Sequence, residues 1–220
     1  MRRRSEHIVS EEELRAVCRT LAIDGVVQIG LGYMRELPLL RSCAGDVPFV
    51  AFEPLQKFVN LAAKKHYPGQ VVRAAVSDQD GEAVMFCERE QSSLQQFSCR
   101  TMWLDTVRTV RLDDQRRRIT PLRQMRHGLL WIDVQGAELK VLSGASATLR
   151  RMAVVMCECH ENQRPPMQGV ATCSQIVQKM VAEGFASYGR LSIHELLFVR
   201  RRECRVLQRA AVRAGNARGG

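Results

Sequence analysis

Apolar residues in this chain occur in short continuous runs that alternate with amphipathic stretches. Nearly continuous apolar runs predict buried strands at residues 25–32, 49–52, 71–76, 129–132 and 153–157. Apolar positions three and four residues apart predict helices at residues 10–21, 55–66 and 172–183. This alternation of strands and helices predicts an α/β fold, with a mostly parallel sheet and helices on both faces.

The two ends of the chain differ from its middle. Ser10 and Glu13 form a capping-box pattern that begins an N-terminal helix, and a strand pair at 185–188 and 195–199 closes the pattern. The short connection within that pair predicts one antiparallel edge strand. The predicted organisation is an N-terminal helix in residues 1–22, a Rossmann-like domain in 23–199 and a basic, flexible tail in 200–220.

Composition places the chain among soluble globular proteins. Its 220 residues are 45% hydrophobic and 25% charged, which suits one domain and excludes a fibrous or wholly disordered chain. No apolar run approaches the roughly 20 residues that span a bilayer, and the N-terminus lacks the apolar segment of a secretory signal. A cytoplasmic location is therefore expected.

The formal net charge of +10 is concentrated at the chain ends. Arginines 2–4 and the arginine-rich residues 200–220 carry most of it, so the body is nearly neutral. Basic ends of this kind keep a protein soluble, or they bind phosphates and acidic membranes.

The eight cysteines include no C-x-x-C pair. They lie in apolar segments, which predicts small buried fillers in a reducing compartment. Cys157, Cys159 and His160 are not expected to bind zinc, because cysteines one residue apart on a strand lack the turn that zinc pairs use. No metal site is predicted.

Chemistry is concentrated at the predicted strand ends. Glu53, Asp133 and Glu158 each end an apolar run, and Gly30 and Gly32 follow the first one. The carboxyl ends of parallel strands form the ligand side of such sheets, and an acid about 20 residues after the first glycine is spaced to bind a ribose diol. These features predict a ribose-bearing cofactor.

The glycine pattern narrows the choice of cofactor. Arg35 stands where a dinucleotide fingerprint has its third glycine. A nicotinamide cofactor, which needs close contact with its pyrophosphate, is therefore disfavoured. S-adenosylmethionine, which carries no phosphate, fits better.

With these residues in view, the chain resembles the FkbM-type class I methyltransferases. That family uses S-adenosylmethionine and mostly methylates hydroxyl groups. Six blocks carry the resemblance in the family's order, namely residues 51–54, 75–81, 92–94, 110–114, 132–138 and 141–145. The resemblance implies a seven-stranded class I methyltransferase fold and an acceptor that is a small molecule, a sugar or a peptide-derived product.

The resemblance also implies roles for individual residues. The implied cofactor contacts are Gln28, Gly30, Gly32, Glu53, Ser77, Asp78 and Asp133. Glu53 would hold the ribose, and Ser77 and Asp78 would lie at the adenine edge. The chain departs from the family pattern at Gln28 and Gln135, which replace acids, so neutral groups would hold the amino-acid end of the cofactor.

A hydroxyl acceptor needs a general base. The candidates are Asp133, Glu158 and His160. Two other functions stay open. Gln28 and Gln135 could mark a degenerate protein that binds ligands without turnover, and the basic ends could serve a nucleic-acid methyltransferase or binder. A homo-oligomer is also left open.

Overall fold

A computed structural model describes residues 7–88, 91–94, 103–159 and 170–217. Its strands in chain order are β1 (Gly25–Ile29), β2 (Phe49–Phe52), β3 (Gly69–Val72), β4 (Ala75–Val76), β5 (Gly81–Glu88), β6 (Gln91–Ser93), β7 (Trp103–Val110), β8 (Gly128–Ile132), β9 (Met152–Glu158), β10 (Phe185–Arg190) and β11 (Glu195–Arg200). Its helices are α1 (Glu11–Thr20), α2 (Leu37–Ala44), α3 (Gln56–Lys64), α4 (Leu112–Arg118), α5 (Thr120–Gln124), α6 (Glu138–Ser143), α7 (Ser146–Leu149), α8 (Cys173–Ala182) and α9 (Arg201–Ala217). Within these ranges, none of the helices is both long and apolar enough to cross a bilayer.

Seven strands form the central sheet in the order β10-β11-β9-β8-β1-β2-β3. The pairs from β9 through β3 are parallel, whereas β11 runs antiparallel to both β9 and β10. The predicted mostly parallel sheet of seven strands is confirmed. The antiparallel strand is not at the edge as expected, because the chain first forms the edge strand β10 and then returns as β11 beside β9.

Apolar side chains pack on both faces of this sheet. Val27 and Ile29 of β1 belong to one core, which includes side chains of α4 to α8, whereas Val26 belongs to the other core with α1 and α2. Every residue of β1, β2 and β8 is buried. Burial on both faces explains why these strands are continuous apolar runs, as a covered parallel sheet requires.

The predicted strand at residues 71–76 is two strands. The chain turns at exposed Arg73, where the Ala74 N–H donates to the Val72 carbonyl over 3.0 Å. β4 then leaves the central sheet and pairs with β7 in a second sheet of order β4-β7-β5-β6. The apolar run did not reveal this turn, since Val71–Val72 and Ala75–Val76 both form strands, in different sheets.

The N-terminal helix α1 begins as its sequence pattern predicts. The Ser10 hydroxyl accepts a hydrogen bond from the Glu13 N–H over 3.1 Å. The Glu13 carboxylate does not complete the capping box but instead accepts hydrogen bonds from Tyr188 Oη and pairs with His7 Nε2. This carboxylate therefore ties α1 to β10.

The segment predicted as a basic tail begins in β11 and continues as a helix. Arg200 ends β11 and is 9% exposed, and its guanidinium donates to the carbonyls of Met152, Leu149 and Glu183. The chain continues as α9, which packs Cys204 and Leu207 against the core shared with α1 and α2. These apolar positions recur three residues apart beneath the arginines, so charge alone was a poor guide to this segment.

A disulfide joins Cys159 to Cys173. It links the residue after β9 to the first residue of α8, and both cysteines are buried. The prediction that all cysteines are reduced fillers is therefore wrong for this pair. Spacing could not reveal the bond, because cysteine connectivity cannot be deduced from sequence alone.

Candidate functional site

A cavity of about 250 Å³ opens at the carboxyl ends of β1, β2, β4 and β8. The loop from Ile29 to Glu36 forms one wall, and Glu53 and Asp133 stand at the ends of their strands. Met85 and other side chains of the second sheet form part of the lining. This is the position at which open α/β sheets bind ligands.

Glu53 ties the loop after β1 to the end of β2. Its Oε2 accepts hydrogen bonds from the N–H groups of Leu31 at 3.0 Å and Gly32 at 3.3 Å, and its Oε1 accepts one from Leu55 at 2.9 Å. Burial raises the pKa of Glu53, although these three donors act in the opposite direction. Because carboxylate oxygens accept more than one hydrogen bond each, Glu53 can hold the loop and a ligand hydroxyl together.

The absence of a side chain has a different structural consequence at Gly30 and at Gly32. Both have a positive φ, +83° and +45°. A Cβ on Gly30 would lie 1.9 Å from the Asp133 carbonyl oxygen, whereas a Cβ on Gly32 would meet nothing within 4 Å. Gly30 lines the cavity, but the missing side chain makes room for the end of β8. Gly32 leaves open space beside the cavity, as close approach of a ligand requires.

Asp133 and Glu158 are joined by the side chain of Gln135. The Gln135 Nε2 donates to Asp133 Oδ1 over 2.7 Å and to Glu158 Oε2 over 3.0 Å. Gln135, three residues after the end of β8, adopts a positive φ of 54°. A glutamate at this position would bring a third carboxyl group to the pair, whereas the amide supplies the hydrogens that hold them together.

A second cavity of about 220 Å³ is also lined by Asp133. Its acidic side chains, Asp133, Glu158 and Glu195, come from the ends of β8, β9 and β11. The β9–β11 register places Glu158 directly opposite Glu195. Asp133, at the end of β8, is therefore a lining residue of both cavities.

Burial and neighbouring carboxylates raise the pKa of Glu158 and Glu195. Burial and the neighbouring Asp133 and Glu138 raise the pKa of Glu158 to about 10. Burial also raises the pKa of Glu138 to about 7, against the Gly136 N–H that donates to it over 2.9 Å. Near neutral pH the Glu158 carboxyl therefore keeps its proton and can donate a hydrogen bond. No described group of three or more His, Cys, Asp or Glu side chains is placed to hold a metal ion.

Three residues predicted to contact the cofactor do not line the first cavity. Gln28 is fully buried, and its Oε1 accepts a hydrogen bond from Tyr67 Oη over 3.3 Å. The Ser77 hydroxyl donates to Asp78 Oδ1 over 3.0 Å, and the Ser77 carbonyl packs against Gly144. Gln28 is the fourth of the five residues of β1. Because side chains alternate along a strand, the Gln28 side chain lies on the same face as that of Val26. His160 lies outside the described residues.

The cavities include charged residues that the sequence patterns missed. Arg35 and Glu36 line the first cavity, and His194 and Glu195 line the second. Arg35 interrupts the glycine pattern, which is a signal that could have drawn attention to it. Glu195 begins a predicted strand and gave no such signal. Its contact with Glu158 depends on the register of the antiparallel pair β9–β11, which the sequence does not show.

The fold and the site define a Rossmann-like α/β protein with its ligand site at the carboxyl ends of parallel strands. The family model described as the methyltransferase FkbM domain matches residues 28–187. The chain belongs to this methyltransferase family, and the predicted family and class I fold are confirmed. No curated protein matches the chain at a significant level of sequence similarity.

Several solved structures are similar to this chain at low sequence identity. Fibrillarin from Aeropyrum pernix, solved with natively bound S-adenosyl-L-methionine, has a TM-score of 0.46 and 8% identity over 90% of this chain and 84% of its own. A SAM-dependent methyltransferase from Aquifex aeolicus has a TM-score of 0.42 and 11% identity over 84% and 87%. The 1,6-didemethyltoxoflavin-N1-methyltransferase of Burkholderia thailandensis has a TM-score of 0.41 and 15% identity over 84% and 76%.

Proposed function

We propose that this protein transfers a methyl group from S-adenosylmethionine to a hydroxyl group of a small molecule, a sugar or a peptide-derived product. The observation that carries the proposal is that Asp133 lines two neighbouring cavities. In the proposal the first cavity holds the cofactor and the second holds the acceptor. Methyl transfer requires the two reactants to approach in line, and in the proposal Asp133 marks the place of that approach.

The residues of the first cavity fit this cofactor. Glu53 offers carboxylate oxygens for the ribose hydroxyls, and Gly32 leaves space for close contact. When bound, the cofactor supplies an electrophilic methyl group on a sulfonium. Asp133 would face this group from the end of β8, and the apolar Phe52 and Met85 in the lining would exclude water.

The proposed general base is Asp133. Glu158 is less suited to accept a proton, because its pKa is raised to about 10 and it is already protonated near neutral pH. Gln135 fixes both carboxyl groups by donating to each. In the proposal Asp133 takes the proton of the acceptor hydroxyl, and Glu158 and Gln135 orient Asp133 and the acceptor. His160 stays a predicted alternative base.

Calorimetric titration tests cofactor binding. S-adenosylmethionine and its demethylated product are titrated into the intact protein, into Glu53→Gln and into a control variant, Glu12→Gln on the exposed face of α1. The expected result is binding by the intact protein and the control, and affinity about tenfold weaker or more for Glu53→Gln. Absence of binding by a folded intact protein would contradict the proposal.

Transfer to a hydroxyl is tested separately. The protein is incubated with isotope-labelled S-adenosylmethionine and a panel of hydroxyl compounds, each paired with an analogue whose hydroxyl is blocked. Labelled product is expected from free hydroxyls only, and Asp133→Asn is expected to abolish it. Cofactor binding without transfer to any member would favour the catalytically degenerate binding protein.

A second candidate is a nucleic-acid methyltransferase or binder, favoured by α9. Arg201, Arg202, Arg205 and Arg209 are exposed along this helix. Phosphate contacts make affinity fall steeply with salt. A variant with these four arginines replaced by glutamine keeps the packed side of α9, and RNA or DNA binding that is salt-dependent and lost in this variant would support the candidate.

The disulfide bears on the cellular compartment expected from the sequence. The expectation of a cytoplasmic location rested on the missing secretory signal and membrane span, and the prediction of reduced cysteines agreed with it. The Cys159–Cys173 disulfide removes that support, because structural disulfides are rare in the cytosol and persist in oxidising compartments.

A further inference from the structure

Two opposite charges lie side by side where the loop after β1 enters α2. Arg35 and Glu36 both line the first cavity. Arg35 is exposed, with its guanidinium carbon 5.9 Å from the centroid of the Tyr33 ring, and Glu36 is half-buried. Glu36 stands at the N-cap of α2 but makes no side-chain capping hydrogen bond. Its carboxylate is therefore not committed to the helix.

Glu36 and Asp133 both line the first cavity, and Glu36 is half-buried there. Burial raises the pKa of Glu36, and the charges of Asp133 and Glu195 raise it further, whereas a hydrogen bond from its own backbone N–H and the charge of Arg35 lower it. A cationic group bound there would relieve this repulsion and stabilise the ionised form of Glu36.

The residue that takes the place of the family's first acid is not available for this task. Gln28 is fully buried, does not line the cavity and binds Tyr67 through its Oε1. Recognition of a charged ligand end must therefore come from other side chains. Arg35 and Glu36 are the adjacent cation and anion at the β1–α2 wall of the cavity.

The cofactor of the proposed function has an amino-acid end, which carries a carboxylate and an ammonium on the same carbon. Guanidinium groups bind carboxylates through paired, charge-assisted hydrogen bonds, and carboxylates bind ammonium groups in the same way. We infer that Arg35 binds the carboxylate and Glu36 binds the ammonium of this amino-acid end. The inference rests on the proposed function, and it assigns these contacts to charged residues outside the glycine motif.

Two ligands separate this role from a general effect on the loop. S-adenosylhomocysteine carries the amino-acid end, and 5′-methylthioadenosine lacks it but keeps the adenosine and the sulfur. Both are titrated by calorimetry into the intact protein, Arg35→Gln and Glu36→Gln. Each substitution is expected to weaken S-adenosylhomocysteine binding about tenfold or more, and to change 5′-methylthioadenosine binding by less than about twofold.

Matched controls make the same charge changes away from the cavity. Arg41→Gln changes an exposed arginine of α2, and Glu12→Gln changes an exposed acid of α1. Both are expected to leave the affinity ratio of the two ligands unchanged. Circular dichroism checks that every variant is folded.

Three results would overturn the inference while leaving the proposed function intact. These are equal losses of affinity for the two ligands, unchanged affinity for S-adenosylhomocysteine in both variants, and no preference of the intact protein for that ligand over 5′-methylthioadenosine. An intact, folded protein that binds neither ligand would instead reject the proposed function, and the inference with it.

Discussion

Replacing Gly30 with alanine is expected to destabilise the fold more than the same replacement at Gly32. Both residues have a positive φ, so alanine suffers a backbone cost of about 1 to 2 kcal/mol at either position. Only Gly30 has a neighbour in the way, since its Cβ would lie 1.9 Å from the Asp133 carbonyl oxygen. The difference between the two variants therefore isolates the contact between the ends of β1 and β8.

The size of that difference follows from what must move. The Asp133 N–H donates to the Ile29 carbonyl over 3.0 Å, and the Gly30 N–H donates to the Phe52 carbonyl over 2.9 Å. A methyl group on Gly30 must shift this hydrogen-bonded junction, and overpacking of this kind costs about 1 to 3 kcal/mol. Gly30→Ala should thus lose about 1 to 3 kcal/mol more free energy of unfolding than Gly32→Ala.

Urea denaturation of the two variants measures the difference. With an m-value of about 3 kcal/mol/M, the midpoint of Gly30→Ala should lie about 0.3 to 1 M below that of Gly32→Ala. Titration with S-adenosylhomocysteine should show the opposite order for binding, because a methyl group on Gly32 fills the open space beside the cavity. Equal midpoints, or a lower midpoint for Gly32→Ala, would refute the assignment of Gly30 to strand packing.

Three further outcomes are expected. Arg200→Met should lower the free energy of unfolding by about 2 to 3 kcal/mol, because three carbonyls lose a charged donor, whereas Arg205→Met should change it by less than about 0.5 kcal/mol in the same urea titration. Peptide mapping without reductant should recover Cys159 linked to Cys173. Replacing both cysteines with serine should lower the free energy of unfolding by about 3 kcal/mol, because the bond closes a loop of 14 residues. Reductant should lower the stability of the intact protein by the same amount and leave that of the variant unchanged. Burial raises the folded pKa of Glu138 to about 7 from the ordinary carboxyl value of 4.5, so its protonated form stabilises the fold below about pH 4.5 and that contribution is lost as the pH rises through 7. Relative to Glu138→Gln, the intact protein should become less stable over this window, and parallel curves of stability against pH for the two would contradict the raised pKa.

Strand positions in the central sheet could be predicted because burial on both faces leaves a clear signal. The runs that became β1, β2 and β8 are apolar at nearly every position. The turn at Arg73 left no comparable signal, because one polar residue within an apolar run also suits a strand with one exposed position. The chain divides at Arg73 because β4 pairs with β7, more than thirty residues later, and not with the central sheet.

In the candidate site, too, some residues could be predicted from the sequence and others could not. Glu53 and Asp133 were predictable, because parallel strands bring their carboxyl ends to one edge of the sheet. Gln28 was not, since its side chain shares the face of Val26 and is turned into a core. Glu195 was also beyond prediction, because its place beside Glu158 depends on the register of an antiparallel pair.

The place of β11 in the sheet has a consequence for synthesis of the chain. β10 emerges from the ribosome first, but it reaches the sheet through β11, which is inserted between it and β9. Until about residue 200 has been made, the apolar edge of β9 from Val154 to Cys157 lacks the partner it has in the native fold, and uncovered strand edges attract other chains. Glu195, in the lining of the second cavity, is thus synthesised after every residue that lines the first.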